Sequence, residues 1–180
     1  MAFAHTNSRG VTYYLHARKR KGKPVYVFAR EVEPGAVDAL PAGYEVRESV
    51  NGQVSAGRAK SRTITAAEEE VLRKATPGHC RVEVKGRELV VHEPAGGGGG
   101  GLAGMDPMAH HGLLQQLGMK VSYEPVMRFV LVDEDDRTFE VKRRVYRGSG
   151  GWSYPLAHGP ISEVAQLARH IGKQSYFNLM

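Results

Sequence analysis

Arg18, Lys19, Arg20, Lys21 and Lys23 put five cations into six residues, and Tyr13, Tyr14, Tyr26 and Phe28 lie on either side of them. Nucleic-acid surfaces combine these residue types because cations neutralise phosphates while aromatic faces stack on unpaired bases. The stretch from Arg9 to Arg30 holds seven basic residues and no acidic one. Such a block attracts nucleic acid or an acidic protein by summed potential alone. In a two-residue period Tyr13 and Leu15 share one face and Tyr14 and His16 the other, so some of the aromatics must pack in a core. The alternative use of the cations is as a solvated tip that keeps a hairpin soluble.

A second candidate anion site depends on strand register. Arg128 falls in the apolar run Val126–Val132, and Arg143 in Thr138–Tyr146. If Val132 pairs with Phe139, Arg128 stands opposite Arg143, and two opposed arginines on a half-buried face require an anion between them. A slip of one residue instead sets Leu131, Phe129 and Met127 opposite Phe139, Val141 and Arg143. That register gives a cleaner apolar face, with Arg143 reaching out at its edge, and is the one favoured.

Catalytic arrangements are thin. Asp133 with Glu140-Val-Lys142 matches the Asp and Glu-x-Lys set with which one class of metal-dependent nuclease holds a divalent ion, and Glu83-Val-Lys85 repeats the tripeptide. Glu-x-Lys is common on exposed strands, and Asp133 sits in a turn. His110 and His111 are adjacent and diverge on a helix, while His79-Cys80 lacks the further ligands of a structural zinc. His92, His158 and His170 are isolated in the chain. No nucleophile elbow or phosphate-binding loop is present. Six glycines, Gly96–Gly101, mimic a glycine-rich phosphate motif, but Leu102-Ala103-Gly104 replaces the Lys-Ser or Lys-Thr that would follow. No metal or cofactor is expected.

The elements that would position these residues follow from periodicity. Val11–His16 and Val25–Ala29 form a hairpin with a long basic connection, Ala36–Leu40 a single helical turn, and residues 43–55 a second hairpin around Asn51-Gly52. Thr65–Thr76 is a helix opened by the capping box of Thr65 and Glu68, with Ala67, Val71 and Ala75 as its apolar stripe. Two hairpins follow, Arg81–His92 around Gly86-Arg87 and residues 126–146 around Asp133–Asp136. A helix from Asp106 to Gly118 separates them, and a last helix spans Pro160–Ile171. The expectation is an α+β protein. An antiparallel β module over 1–57 and a linker over 58–64 lead to a helix-backed antiparallel sheet over 65–180 in the order α-ββ-α-ββ-α. The glycine-rich segment 95–104 is then a flexible insertion.

Thr6-Asn-Ser-Arg-Gly10, Tyr13-Tyr-Leu-His16, Tyr26-Val-Phe28 and Leu40-Pro-Ala-Gly-Tyr-Glu-Val46 resemble motifs of a family of short prokaryotic proteins. Met127-Arg-Phe129, Phe139-Glu-Val141, Gly151-Trp152 and Gly172-Lys-Gln-Ser-Tyr-Phe177 continue the likeness, which covers about two thirds of the chain. No activity is known for that family, so the resemblance implies a soluble prokaryotic protein and no site.

The 180 residues carry a net charge of +6, with 16 Lys/Arg against 11 Asp/Glu up to residue 94 and 9 against 8 beyond it. Cys80 is the only cysteine, which excludes an intrachain disulfide and points to a reducing compartment. The first thirty residues lack the apolar core of a secretory signal, and no apolar stretch reaches the roughly 20 residues needed to span a bilayer. A cytoplasmic protein is expected, binding nucleic acid or an acidic partner through Arg18–Lys23. A metal-dependent phosphodiesterase using Asp133, Glu140 and Lys142 is the enzymatic alternative. The third reading is a structural subunit docking through Trp152 and Tyr176-Phe177.

Overall fold

The structure, a computed structural model, describes residues 2–59, 63–95, 109, 112, 113, 116, 117, 119, 121–145 and 151–179. The chain is α+β with antiparallel sheets, and it divides into two compact units, Met1–Ser61 and Arg62–Met180. The glycine run lies outside the described residues, and so does most of the helix expected over 106–118.

The first unit is all β. Strands β1 (Ala4–Thr6), β2 (Thr12–Arg20) and β3 (Lys23–Ala29) form one antiparallel sheet in that order, while β4 (Tyr44–Glu48) and β5 (Val54–Arg58) form a two-stranded ribbon. The Thr6–Gly10 segment joins the two pieces. Asn7 is buried, its side-chain oxygen accepts the Arg9 and Val11 amides at 3.1 and 2.8 Å, and its side-chain nitrogen donates to the Gly52 carbonyl at 2.6 Å. Next to it the Ser8 amide and hydroxyl both donate to the Glu48 carboxylate. Gly52 has φ +75°, and a Cβ there would lie 2.9 Å from Arg9 and 3.0 Å from Asn7, so both backbone and space demand glycine.

Two expectations fail in this unit. Ala36–Leu40 is not a helical turn. Ala36 bridges His16, the Val37 amide donates to the Leu15 carbonyl, and Phe3 donates to Val37. One turn of helix cannot repay its own nucleation, so backbone pairing with a waiting strand wins. The long basic connection of the first hairpin is also absent: β2 and β3 pair continuously up to Arg20 and Lys23.

The second unit is a five-stranded antiparallel sheet in the order β10-β9-β8-β7-β6, built from β6 (Arg81–Lys85), β7 (Glu88–Pro94), β8 (Tyr123–Asp133), β9 (Thr138–Arg143) and β10 (Ala157–Pro160). One face carries Val82, Leu89, Val91, Met127, Phe129, Leu131, Phe139 and Val141, all buried. Helix α1 (Ala66–Ala75) packs on that core, together with α2 (Ile161–Val164), the 3-10 turn Ala165–His170 and α3 (Gln174–Phe177). The Pro160–Ile171 helix is therefore split into an α turn and a 3-10 turn, although Ile161, Val164, Ala168 and Ile171 are buried as their spacing requires. In α1 the buried line is Glu68 and Leu72, with Val71 and Ala75 half-buried; Ala67 is exposed, contrary to expectation.

A carboxylate in the buried line of a helix needs partners. Glu68 completes the capping box with Thr65, and it also receives Arg137 of the β8–β9 turn through Nε at 2.8 Å and Nη2 at 2.6 Å. Arg137 is held at φ +51° and donates as well to the Thr63 carbonyl. Burial alone would raise the Glu68 carboxyl pKa, but the hydrogen bonds from Arg137 and Thr65 outweigh it and set it below its ordinary value of 4.5. The folded state thus binds this proton less readily than the unfolded chain does. The stabilisation is complete above pH 4.5 and is lost as pH falls through the lowered folded value. Glu68→Gln should destabilise the second unit by about 1–3 kcal/mol at neutral pH and flatten its acid-unfolding limb. Urea melts of both proteins at pH 7 and pH 3.5, followed by tryptophan emission, check both.

Candidate functional site

The basic hairpin is closed by Lys21 and Gly22, with φ +51° and +76°. Two central residues with positive φ make a type I′ turn, whose twist matches that of the flanking strands. The pairs Arg20↔Lys23, Lys19↔Pro24 and Arg18↔Val25 follow from it. Strand alternation sets Arg18, Arg20 and Lys23 on one face of the ribbon and Lys19 on the other, with Lys21 at the apex. All five are exposed. On its far side β2 is held by β1 as far as Tyr14 and by the residue 35–37 segment as far as Ala17. From Arg18 onward only β3 pairs with it among the described residues.

Arg18 is paired with Glu33 at 2.9 Å, and both side chains are about half exposed, so this ion pair contributes at most about 1 kcal/mol. Lys19, Arg20, Lys21 and Lys23 have no carboxylate partner among the described residues. Cross-strand neighbours such as Arg20 and Lys23 stand roughly 5 Å apart at Cβ, where like charges repel. An incoming polyanion would relieve that repulsion.

The aromatics play another part. Phe28 packs with Phe3 and His5 at centroid distances of 6.4 and 6.3 Å, and Tyr26 meets Tyr44 edge-on at 5.0 Å. They tie the base of the ribbon to the rest of the unit and are not arrayed as an open stacking platform. His16 is buried on the opposite face of the sheet from Tyr26 and Phe28, and its Nε2 accepts the Glu33 amide at 3.0 Å. Sequence reasoning missed this link: it holds Glu33 beside the strand from which Arg18 projects.

The register of β8 and β9 is Met127↔Arg143, Phe129↔Val141 and Leu131↔Phe139. Arg128 and Arg143 are therefore not opposed, and the anion site between them is not formed. They lie on opposite faces of the sheet. Arg143 reaches the edge of the core, where Nε donates to the Leu179 carbonyl at 3.1 Å and its guanidinium lies 5.8 Å from the Tyr176 ring centre. Arg128 faces away from the helices, opposite Lys142, with its guanidinium 4.6 Å from the centre of Trp152.

The carboxylates of the nuclease-like set are each engaged locally. Asp133 accepts the amides of Asp135 and Asp136 at 2.9 and 3.0 Å in an exposed turn. Glu140 contacts Lys142 at 2.5 Å and His158 at 3.3 Å; the Lys142 hydrogen bond holds its carboxyl below the ordinary range. Asp133 pairs with Thr138, whereas Glu140 pairs with Val130, so the two carboxylates are not neighbours in the sheet. Glu83 is shared between Lys85 and His92. No group of three His, Cys, Asp or Glu side chains able to hold a metal ion occurs among the described residues.

Of the histidines, His92 lies 3.0 Å from Glu83, His79 lies 3.7 Å from Glu93, and His170 bonds Ser175 at 2.8 Å. Burial lowers the His92 pKa and outweighs the attraction of Glu83. His110 and His111 fall outside the described residues. Burial, reinforced by the Glu93 charge, pushes the Cys80 thiol up to about 12, which removes it as a nucleophile.

Among the described residues no helix is long and apolar enough to cross a membrane. Comparison of the chain with protein-family models, with curated proteins and with solved structures gave no match.

The rigidity of the basic tip rests on its turn. A Cβ on Gly22 meets nothing within 4 Å, so Gly22→Ala is opposed only by the left-handed backbone. It should cost about 1 kcal/mol and speed amide exchange in the 17–25 ribbon several-fold, with little change in the second unit. Residue-resolved hydrogen exchange measures this directly.

Proposed function

We propose that this protein is a non-enzymatic nucleic-acid-binding protein that grips the phosphate backbone with the β2–β3 tip. The observation carrying this reading is the tip itself: five exposed cations on a paired ribbon, of which only Arg18 has a carboxylate partner among the described residues. A two-stranded ribbon is a shape that the major groove of duplex DNA admits, the groove being about 12 Å wide. Because Tyr26 and Phe28 are engaged with Tyr44, Phe3 and His5, base stacking contributes little, and recognition runs through phosphates. Such contacts position a protein without reading sequence.

The charge-neutralised variant Lys19→Gln/Arg20→Gln/Lys21→Gln/Lys23→Gln should bind a fluorescently labelled duplex at least ~10-fold more weakly than the wild type at 50 mM salt. The wild type should bind duplex at least as tightly as a single strand of equal length. Anisotropy titrations test both statements. Equal affinity of variant and wild type removes the tip from the interface. Binding of polyglutamate but of no nucleic acid moves the assignment to an acidic protein partner.

A further inference from the structure

The sheet face turned away from the helices carries a second concentration of unsatisfied donors. Strand alternation puts Arg128, Lys142 and Arg144 on this face, with Trp152 bridging Arg144 from the returning chain. The guanidinium of Arg128 lies 4.6 Å from the Trp152 ring centre and that of Arg144 lies 5.6 Å from it, so two cations are gathered on one indole. Each contact is attractive, but two guanidinium ions gathered on one half-buried indole are favoured only with negative charge close by.

The charges nearby supply it only in part. Lys142 is neutralised by Glu140, which also takes His158. The Glu88 carboxylate forms a loose ion pair with Arg128 Nη1 at 3.8 Å, beyond hydrogen-bond range, and Arg128 Nε is buried with no acceptor among the described residues. Arg144 has no carboxylate partner among the described residues. Glu83, further along the same face, is taken by His92 and Lys85. Buried donors in native proteins have acceptors, so Arg128 Nε, with no acceptor among the described residues, on the same indole as an arginine with no carboxylate partner there, points to recognition of an oxyanion. The indole holds both guanidinium carbons near its ring, and a guanidinium carries the forked N–H edge that bidentate oxyanion recognition requires.

We propose that Arg128, Arg144 and Trp152 form a binding site for a phosphate-type oxyanion, either inorganic phosphate or a small phosphate monoester. Arg144, which has no carboxylate partner among the described residues, and Arg128, which meets Glu88 only at 3.8 Å, leave a net positive charge that favours a dianion over a carboxylate. The site is built wholly within the second unit and does not depend on the basic hairpin of the first.

Trp152 is the only tryptophan in the chain, so its emission reports on this site. Sodium phosphate and a nucleoside 5′-monophosphate are titrated separately at constant ionic strength, with acetate as the control. A saturable change with phosphate, with the monoester or with both, and none with acetate, is the expected result; the tighter of the two identifies the source of the phosphate. Arg144→Gln should weaken binding by at least ~10-fold, the loss of one charge-assisted bidentate contact. Its melting temperature is read alongside, and Arg128→Lys, which keeps the charge but not the fork, should weaken binding as well. No saturable response in the wild type overturns the proposal, as does an unchanged response in a folded Arg144→Gln. The Lys19→Gln/Arg20→Gln/Lys21→Gln/Lys23→Gln variant should retain the full response. If it loses that response, the phosphate belongs to the hairpin and not to this face.

Discussion

Two consecutive left-handed residues, Lys21 and Gly22, decide what the basic segment of this protein is. A longer connection would leave its cations on a mobile loop, and their field would be an average over many shapes. The I′ turn instead carries strand pairing to Arg20 and Lys23 and fixes a face for each cation. Glycine takes the second position without strain, while lysine at the first departs from the asparagine or aspartate usually found there. A charged side chain therefore stands at the apex itself. The base of the ribbon is held just as firmly, by Tyr26 on Tyr44, Phe28 on Phe3, and the buried His16 receiving the Glu33 amide.

The second unit solves a different problem, that of covering one face of an antiparallel sheet with short helices. Glu68 shows how closely its parts are joined, since one carboxylate caps α1 and receives the arginine of the β8–β9 turn. Register does the rest. With Phe129 opposite Val141, the side chains of Met127, Phe129, Leu131, Phe139 and Val141 all lie on the buried face, and Arg128 is sent to the far face beside Trp152. A single slip would have reversed both outcomes. The grouping of Arg128 with Arg144 is thus a consequence of core packing, not of any pattern visible in the two residues alone.

Much of the architecture was legible because local chemistry and tertiary need agree. The Thr65–Glu68 box, the Gly86-Arg87 turn and the Asp133–Asp136 turn lie where sequence places them, and the favoured β8–β9 register follows from apolar alternation. The failures have physical causes. Lys21 carries no turn signature, so the sequence reads as a long loop where the chain makes a two-residue turn. Ala36–Leu40 has weak helical character, but the Val37 amide donates to the Leu15 carbonyl and Ala36 bridges His16. Ala67 fits the apolar stripe of α1 by residue type, whereas the position facing the core belongs to Glu68, a carboxylate whose partner lies 69 residues away. Of the candidate site, the cations of the hairpin were readable from composition. The pairing of Arg128 and Arg144 through Trp152 was not, because it requires a chain reversal that brings residue 152 back beside residue 144.

The central claim is electrostatic and so has a thermodynamic signature independent of any mutation. Each phosphate neutralised releases condensed counterion, and the logarithm of affinity falls with the logarithm of salt concentration at about 0.9 per contact on duplex DNA. A tip with five cations, one already shared with Glu33, should engage about four phosphates. Duplex affinity measured between 50 and 200 mM salt should then fall with a slope near −4. A slope near zero, or no binding at the lowest salt, would contradict the assignment of the β2–β3 tip as a phosphate-binding surface.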